Sequence, residues 1–318
     1  MPHNNFALFL LLALLSFTLP SCKVYPDVRP LEQMKEMTYP YPVSTVRVAD
    51  MDIAYVQEGR GTDTLILIHG LGSYLPSWKK TIDGLRESYT CIALDLPGYG
   101  HSSKGNYPIS MTFYAEMLKG FMKAMGIRKA TIGGHSMGGQ IAIFFSLAYP
   151  DLANRLILIA PAGFEQFTAG QREWFRSALT AEGVRLTTPE QIRVNMAYNF
   201  YDLPADAGFM IEDRIAMRSA SDFRAYCAAI PLCVQAMVND PVYDYLQDIN
   251  LPVLVIFGDN DNLIPNRYLN PGPTREIAED GTAQLPNAQL HMIPKAGHFV
   301  HFEKADTVNA LIREFFER

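Results

Sequence analysis

Apolar positions along this chain follow two alternating patterns, and the alternation organises most of the sequence. Short runs rich in Val, Ile and Leu recur at residues 44–48, 53–58, 64–69, 89–95, 130–134, 156–160, 253–258 and 289–293. Some are continuous, such as Leu65-Ile66-Leu67-Ile68 and Val253-Leu254-Val255-Ile256-Phe257, as expected of interior strands covered on both faces. Between them, residues 77–87, 111–125, 137–148 and 305–317 carry apolar side chains at helical spacing. Strand following helix in this way predicts an α/β fold, with a mostly parallel eight-stranded sheet and helices on both faces.

The alternation breaks between residues 160 and 253, where only helix-like segments at 169–181, 189–198 and 208–220 stand out. A structureless loop of that length is disfavoured, so residues 164–236 are predicted to form a helical cap. The cap is inserted into a core made of residues 43–163 and 237–318. Its Trp174, Phe175, Met196, Tyr198, Phe200, Tyr201, Phe209 and Met210 either line an apolar pocket or form the cap's own core, the commoner use of such residues. Residues 22–42, rich in proline and without periodicity, read as an extended tether.

Ahead of the tether, residues 6–19 (FALFLLLALLSFTL) are almost wholly apolar. They fall short of the roughly 20 residues a membrane-spanning helix needs and suit the apolar region of an export signal covering residues 1–21, a short membrane anchor being the alternative. Leu19-Pro20-Ser21-Cys22 resembles a bacterial lipoprotein signal. That resemblance implies lipidation of Cys22 and a protein of the cell envelope, lipid-anchored to a bacterial membrane. Without lipidation it would be periplasmic or secreted.

Composition narrows the field. With 318 residues, 48% hydrophobic and 19% charged, the chain can bury a large core. The net charge of −6, with no run of Lys and Arg, argues against nucleic acid as a partner. Of the remaining cysteines, Cys91 sits in an apolar run and reads as a core thiol. Cys227 and Cys233 are close enough to pair, with Pro231 expected to break any helix between them. Two packed thiols are the alternative.

The strongest chemical signal is Gly134-His135-Ser136-Met137-Gly138, which follows a strand and precedes an apolar helix. This is G-x-S-x-G in the strand–turn–helix setting of a nucleophile elbow. A serine hydroxyl needs a base, and the seven histidines can be sifted. His3, His69, His101, His135 and His291 sit in the signal, beside other motif residues, in a loop or in a strand. His298, after Gly297 in a loop leaving the last strand, is placed to reach Ser136. His301 reads as a solvated residue at the start of the final helix. The imidazole in turn needs a carboxylate, for which Asp259 and Asp261 compete after the strand at 253–258. Backbone N–H groups of Leu71, in the His69-Gly70-Leu71-Gly72 loop, and of Met137 are the expected oxyanion donors. Leu75 stands where a dinucleotide fingerprint would need its third glycine. No metal-ligand cluster or cofactor motif is evident, so no cofactor is expected.

Together, His69-Gly70, the loop Asp95-Leu96-Pro97-Gly98-Tyr99-Gly100-His101-Ser102, the Ser136 elbow and Gly297-His298 resemble the cap-bearing α/β-hydrolases, from about residue 45 to the C-terminus. The family's acid lies in Gly-x-x-Asp-x-x-x-Pro, which falls on Gly258, Asp261 and Pro265. The resemblance therefore implies a Ser136–Asp261–His298 triad, with Asp259 in reserve. It also implies that the 95–102 loop shapes the pocket rim. Residues 266–285 (NRYLNPGPTREIAEDGTAQL) depart from the family's pattern in being longer and richer in Pro and Gly. The expected chemistry is acyl transfer to water on a small, partly apolar acyl substrate, esters first. Amide, carbon–carbon or perhydrolase variants of the same site, and a ligand sensor with little turnover, are the alternatives.

Overall fold

The computed structural model describes residues 28–318. The export signal and Cys22 lie outside the described residues. The sheet has eight strands: β1 (Ser44–Val48), β2 (Met51–Glu58), β3 (Thr64–Ile68), β4 (Thr90–Leu94), β5 (Ala130–His135), β6 (Ala153–Ile159), β7 (Val253–Gly258) and β8 (Ala288–Ile293). Their spatial order is β1-β2-β4-β3-β5-β6-β7-β8. Strand β2 runs antiparallel to β1 and β4, and every other pair is parallel.

Parallel neighbours need crossovers, and these, with the C-terminal helix, supply the covering helices. On one face, α1 (Lys79–Leu85) and α11 (Ala305–Phe316) pack over Leu65, Leu67, Ile157, Ile159, Leu254 and Ile256. On the other, α2 (Met111–Ala124) and α3 (Met137–Ala148) cover Ile66, Ile68, Ile132, Leu156, Leu158 and Val255. Odd and even positions of one run thus serve opposite cores, as a strand's period of two requires. Each buried Leu or Ile is worth about 1.5–3 kcal/mol, which is why unbroken apolar runs hold the centre of the sheet.

Between β6 and β7 come α4 (Ala169–Ala178), α5 (Ala181–Leu186), α6 (Pro189–Ala197), α7 (Gly208–Ala216) and α8 (Phe223–Asn239). Helices α9 (Thr274–Ala283) and α10 (Val300–Glu303) complete the chain. Thr168 and Thr188 start α4 and α6 with capping boxes closed by Gln171 and Gln191.

Two expectations need correcting. Helix α8 runs through Pro231 rather than breaking there. A proline inside a helix costs about 3 kcal/mol, but Tyr226, Cys227, Ile230, Cys233 and Val234 are all buried along this helix and outweigh it. Cys227 and Cys233 are free thiols. Six helical residues apart, their backbones are separated by about 9 Å, too far for a disulfide.

The second concerns residues 28–43, which are not a loose tether. Leu31, Met34, Met37 and Tyr41 are buried, with a 3₁₀ turn at Met34–Glu36. This strap bonds to the α7–α8 region, Leu31 N–H to Ser219 Oγ (2.8 Å) and Met34 N–H to Asp222 Oδ1 (3.0 Å). It also bonds to the sheet domain, Tyr39 to Asp95 (2.7 Å) and Tyr41 to Asp83 (2.7 Å). No helix among the described residues is long and apolar enough to cross a membrane.

Candidate active site

The carboxyl edge of the sheet gathers the residues singled out from the sequence. Strand β5 leads straight into Ser136, which takes φ 54° and ψ −119°. A non-glycine residue there is strained by about 1–3 kcal/mol and persists only if its surroundings fix it. They do: Ser136 N–H donates to Ile159 O (2.9 Å), and Ser136 O accepts from Gly139 N–H (2.9 Å) and Ala162 N–H (3.0 Å). A Cβ on Gly134 would stand 2.1 Å from Gly138 O, and one on Gly138 would stand 2.2 Å from Ile68 O. The turn therefore closes only with glycine at both positions. It leaves Ser136 at the N-terminus of α3, whose dipole favours developing negative charge.

His298 follows β8 and is 3% exposed; Asp261 follows β7 and is 8% exposed. Their side chains meet, Nδ1 to Oδ2, at 2.7 Å. An ionised carboxylate only accepts, so Nδ1 carries the hydrogen and Nε2 is left with a lone pair. Asp261 Oδ1 accepts from Leu263 N–H (2.7 Å) and Ile264 N–H (3.1 Å), which fixes the carboxylate plane. Asp259 points elsewhere and pairs with Arg275 at 2.9 Å on the surface.

Ser136 and His298 line one cavity of about 220 Å³, together with Leu71, Phe167, Phe175 and Val234. A neighbouring cavity of about 280 Å³ shares Leu71, Asn199 and Phe299 with it and adds Met196, Met210 and Arg214. The aromatic and Met residues of the inserted helices therefore divide. Phe200 is buried, Phe175, Met196 and Met210 face cavities, and Trp174 and Tyr201 are exposed.

The loop carrying Leu71 is held from both sides. Asp95 accepts from Leu75 N–H (2.8 Å), His101 N–H (2.7 Å) and the Tyr39 hydroxyl. His69, at the loop's start, accepts Leu96 N–H on Nε2 (3.1 Å). From above, α7 contributes Asp213, which accepts from the Tyr74 hydroxyl, and Arg214, whose Nη1 donates to Gly72 O (3.2 Å). Burial pushes the Asp213 carboxyl up to about 6.

Sequence reasoning missed two histidines. His135 Nε2 donates to His298 O (3.0 Å), so the residue before the nucleophile fixes the backbone of the base. Its adjacency to Ser136 was the one available signal. His301 is fully buried, not solvated; its ring packs on Trp78 (4.4 Å between centroids) and His135 (4.6 Å). The short helix α10 turns it inward, flanked by buried Val300 and Phe302.

Burial, reinforced by nearby His298, holds the His301 imidazole down to about 3. Burial also holds His135 well below the usual imidazole range. Both are neutral when folded, while the unfolded chain takes up protons near pH 6.5. Their stability contribution is therefore complete above about pH 6.5 and drains as pH falls, for His301 down to about 3, at up to about 1.4 kcal/mol per pH unit each. His301→Phe should flatten the loss of stability between pH 6 and 4 and change little at pH 8, measured by urea unfolding across that range. An unchanged slope would show that His301 does not contribute to it.

Residues 63–305 match the family described as alpha/beta hydrolase fold. The chain is 28% identical over 276 residues to a dihydrolipoyllysine-residue acetyltransferase component of the acetoin cleaving system of Cupriavidus necator, covering 84% of this chain and 67% of that protein. It is 27% identical over 283 residues to a 2-hydroxy-6-oxononadienedioate/2-hydroxy-6-oxononatrienedioate hydrolase of Paraburkholderia phymatum, covering 84% and 91%. Among solved structures, a bacterial membrane phospholipase A is similar with a TM-score of 0.71 at 26% identity, covering 87% of this chain and 86% of that one.

Proposed function

Because the chain belongs to the α/β-hydrolase fold family, we propose that it is a serine hydrolase cleaving carboxylic esters through an acyl-enzyme on Ser136. The observation that carries this reading is the buried Asp261–His298 pair opening onto the same cavity as the strained serine. Ser136 Oγ attacks the ester carbonyl while His298 Nε2 takes its proton, and Asp261 stabilises the imidazolium. Backbone N–H groups of Leu71 and Met137 hold the oxyanion. His298 then protonates the leaving alkoxide, and water, activated by the same imidazole, releases the acid. The N-terminal sequence supports a separate proposal, that the protein is exported to the cell envelope and held there through a lipidated Cys22, or is periplasmic or secreted without that lipid.

Carbon–carbon cleavage is the second reading, on a dienedioate such as the one in the name of the Paraburkholderia hydrolase. Such a substrate carries two carboxylates. Among the described residues, neither Lys nor Arg lines the cavity at Ser136, and Arg214 next door is engaged with Gly72 O and the Tyr226 ring. An uncharged ester suits the cavity better.

The test is hydrolysis of short p-nitrophenyl esters alongside fluorophosphonate labelling. The wild type should do both, and Ser136→Ala should lose the label and about 10⁵–10⁶ of kcat. Labelling without turnover would make the protein a sensor on a hydrolase scaffold. Absence of both would retire the proposal.

A further inference from the structure

The walls of the Ser136 cavity are mostly apolar, yet one wall residue is an acid. Glu165, in the loop after β6, is only 9% exposed and lines the cavity with Ser136 and His298. Its Oε1 accepts from Asn266 N–H (2.9 Å) and from Asn270 Nδ2 (2.8 Å). Both bonds fall on one oxygen. No described residue donates to Oε2, and neither Lys nor Arg pairs with the group. Burial, with a further push from Asp261, holds this carboxyl above its usual range. Oε2 is therefore the acceptor left open to whatever fills the cavity, and a ligand that displaced water from it without supplying a donor would cost about 1–3 kcal/mol.

We propose that Glu165 determines specificity: it selects substrates whose portion in this cavity carries a hydroxyl or an ammonium, and turns away those carrying a carboxylate. A carboxylate there would meet Glu165 with neither Lys nor Arg in the described lining to offset it, whereas a donor would satisfy Oε2. The plainer view is that Glu165 only anchors the 266–270 loop. Glu165→Gln separates the two. The two N–H donors need an oxygen opposite them, so the glutamine amide oxygen keeps the anchor and its NH₂ is forced toward the cavity. The loop stays, and the acceptor becomes a donor.

The preference is a property of binding and rests on the ester reading only for turnover. The experiment measures hexylammonium, hexanol and hexanoate binding to Ser136→Ala protein at pH 8 by ligand-observed NMR. Hexylammonium should bind at least about tenfold tighter than hexanoate, the worth of one charge-assisted hydrogen bond, with hexanol between them. Adding Glu165→Gln should bring the three within about threefold or invert the order. Equal affinities in the Ser136→Ala protein, or a preference that survives Glu165→Gln, would overturn the proposal. In parallel, wild-type protein is assayed on p-nitrophenyl esters of hexanoate, 6-aminohexanoate and adipate. Failure to cleave any of them with the binding preference intact would remove the ester reading and leave this one standing.

Discussion

Asp261→Asn should lower kcat on a p-nitrophenyl ester by about 10⁴-fold, while Asp259→Asn should cost less than about threefold. The asymmetry follows from hydrogen-bond polarity. Leu263 and Ile264 N–H both point at Oδ1, so the asparagine oxygen must stay there and its NH₂ faces His298. Two donors then confront each other, and the imidazole escapes by moving its hydrogen to Nε2. A protonated Nε2 cannot take the proton from Ser136. Asp259 has no such role; its partner is Arg275, half exposed, in the class of surface pairs worth about 0–1 kcal/mol. Steady-state kinetics on the two variants decide it. A larger loss from Asp259→Asn would displace Asp261 as the acid.

Gly134→Ala should destabilise the fold by about 3 kcal/mol or more in urea unfolding, a large share of a typical domain's stability. The added methyl meets backbone, Gly138 O at 2.1 Å and Gly139 N at 2.5 Å, and backbone in an elbow cannot rotate away as a side chain does. Relief would require separating α3 from β5, with the buried Ile141 and Phe145 of α3 losing their packing. Gly170→Ala is the matched control: nothing lies within 4 Å of its added methyl, so stability should change by less than about 1 kcal/mol. Equal stabilities would mean that the turn is looser than its geometry implies.

Much of this was legible in the chain because it rests on local rules. Leu65–Ile68 and Val253–Phe257 could hardly be anything but interior strands, and glycines flanking Ser136 after such a strand announce the elbow. What stayed hidden depends on tertiary context. Pro231 argued against a helix until the apolar face it interrupts found its partners. Thr274–Ala283 was lost in a stretch whose leading prolines and glycines dominate the pattern. The methionines and leucine of residues 31–37 looked like linker because a strap buries single side chains without a period. His301 looked solvated because nothing in a linear pattern records that Trp78, so far away in the chain, will pack against it. His135 and Glu165 act on chain-distant atoms, and no motif encodes that.

Arg214 and Asp213 fasten α7 to the same loop that presents Leu71 to the serine. Any lifting of α7 to admit a substrate would cut both fastenings at once. On the proposed ester route, with Leu71 N–H serving the oxyanion, access and competence would then be opposite phases of one movement, the donor set being complete only with the helix settled over its cargo. The same arrangement would guard the proposed acyl-enzyme, because water arriving with the helix raised would find the loop slack and the transition state without its support.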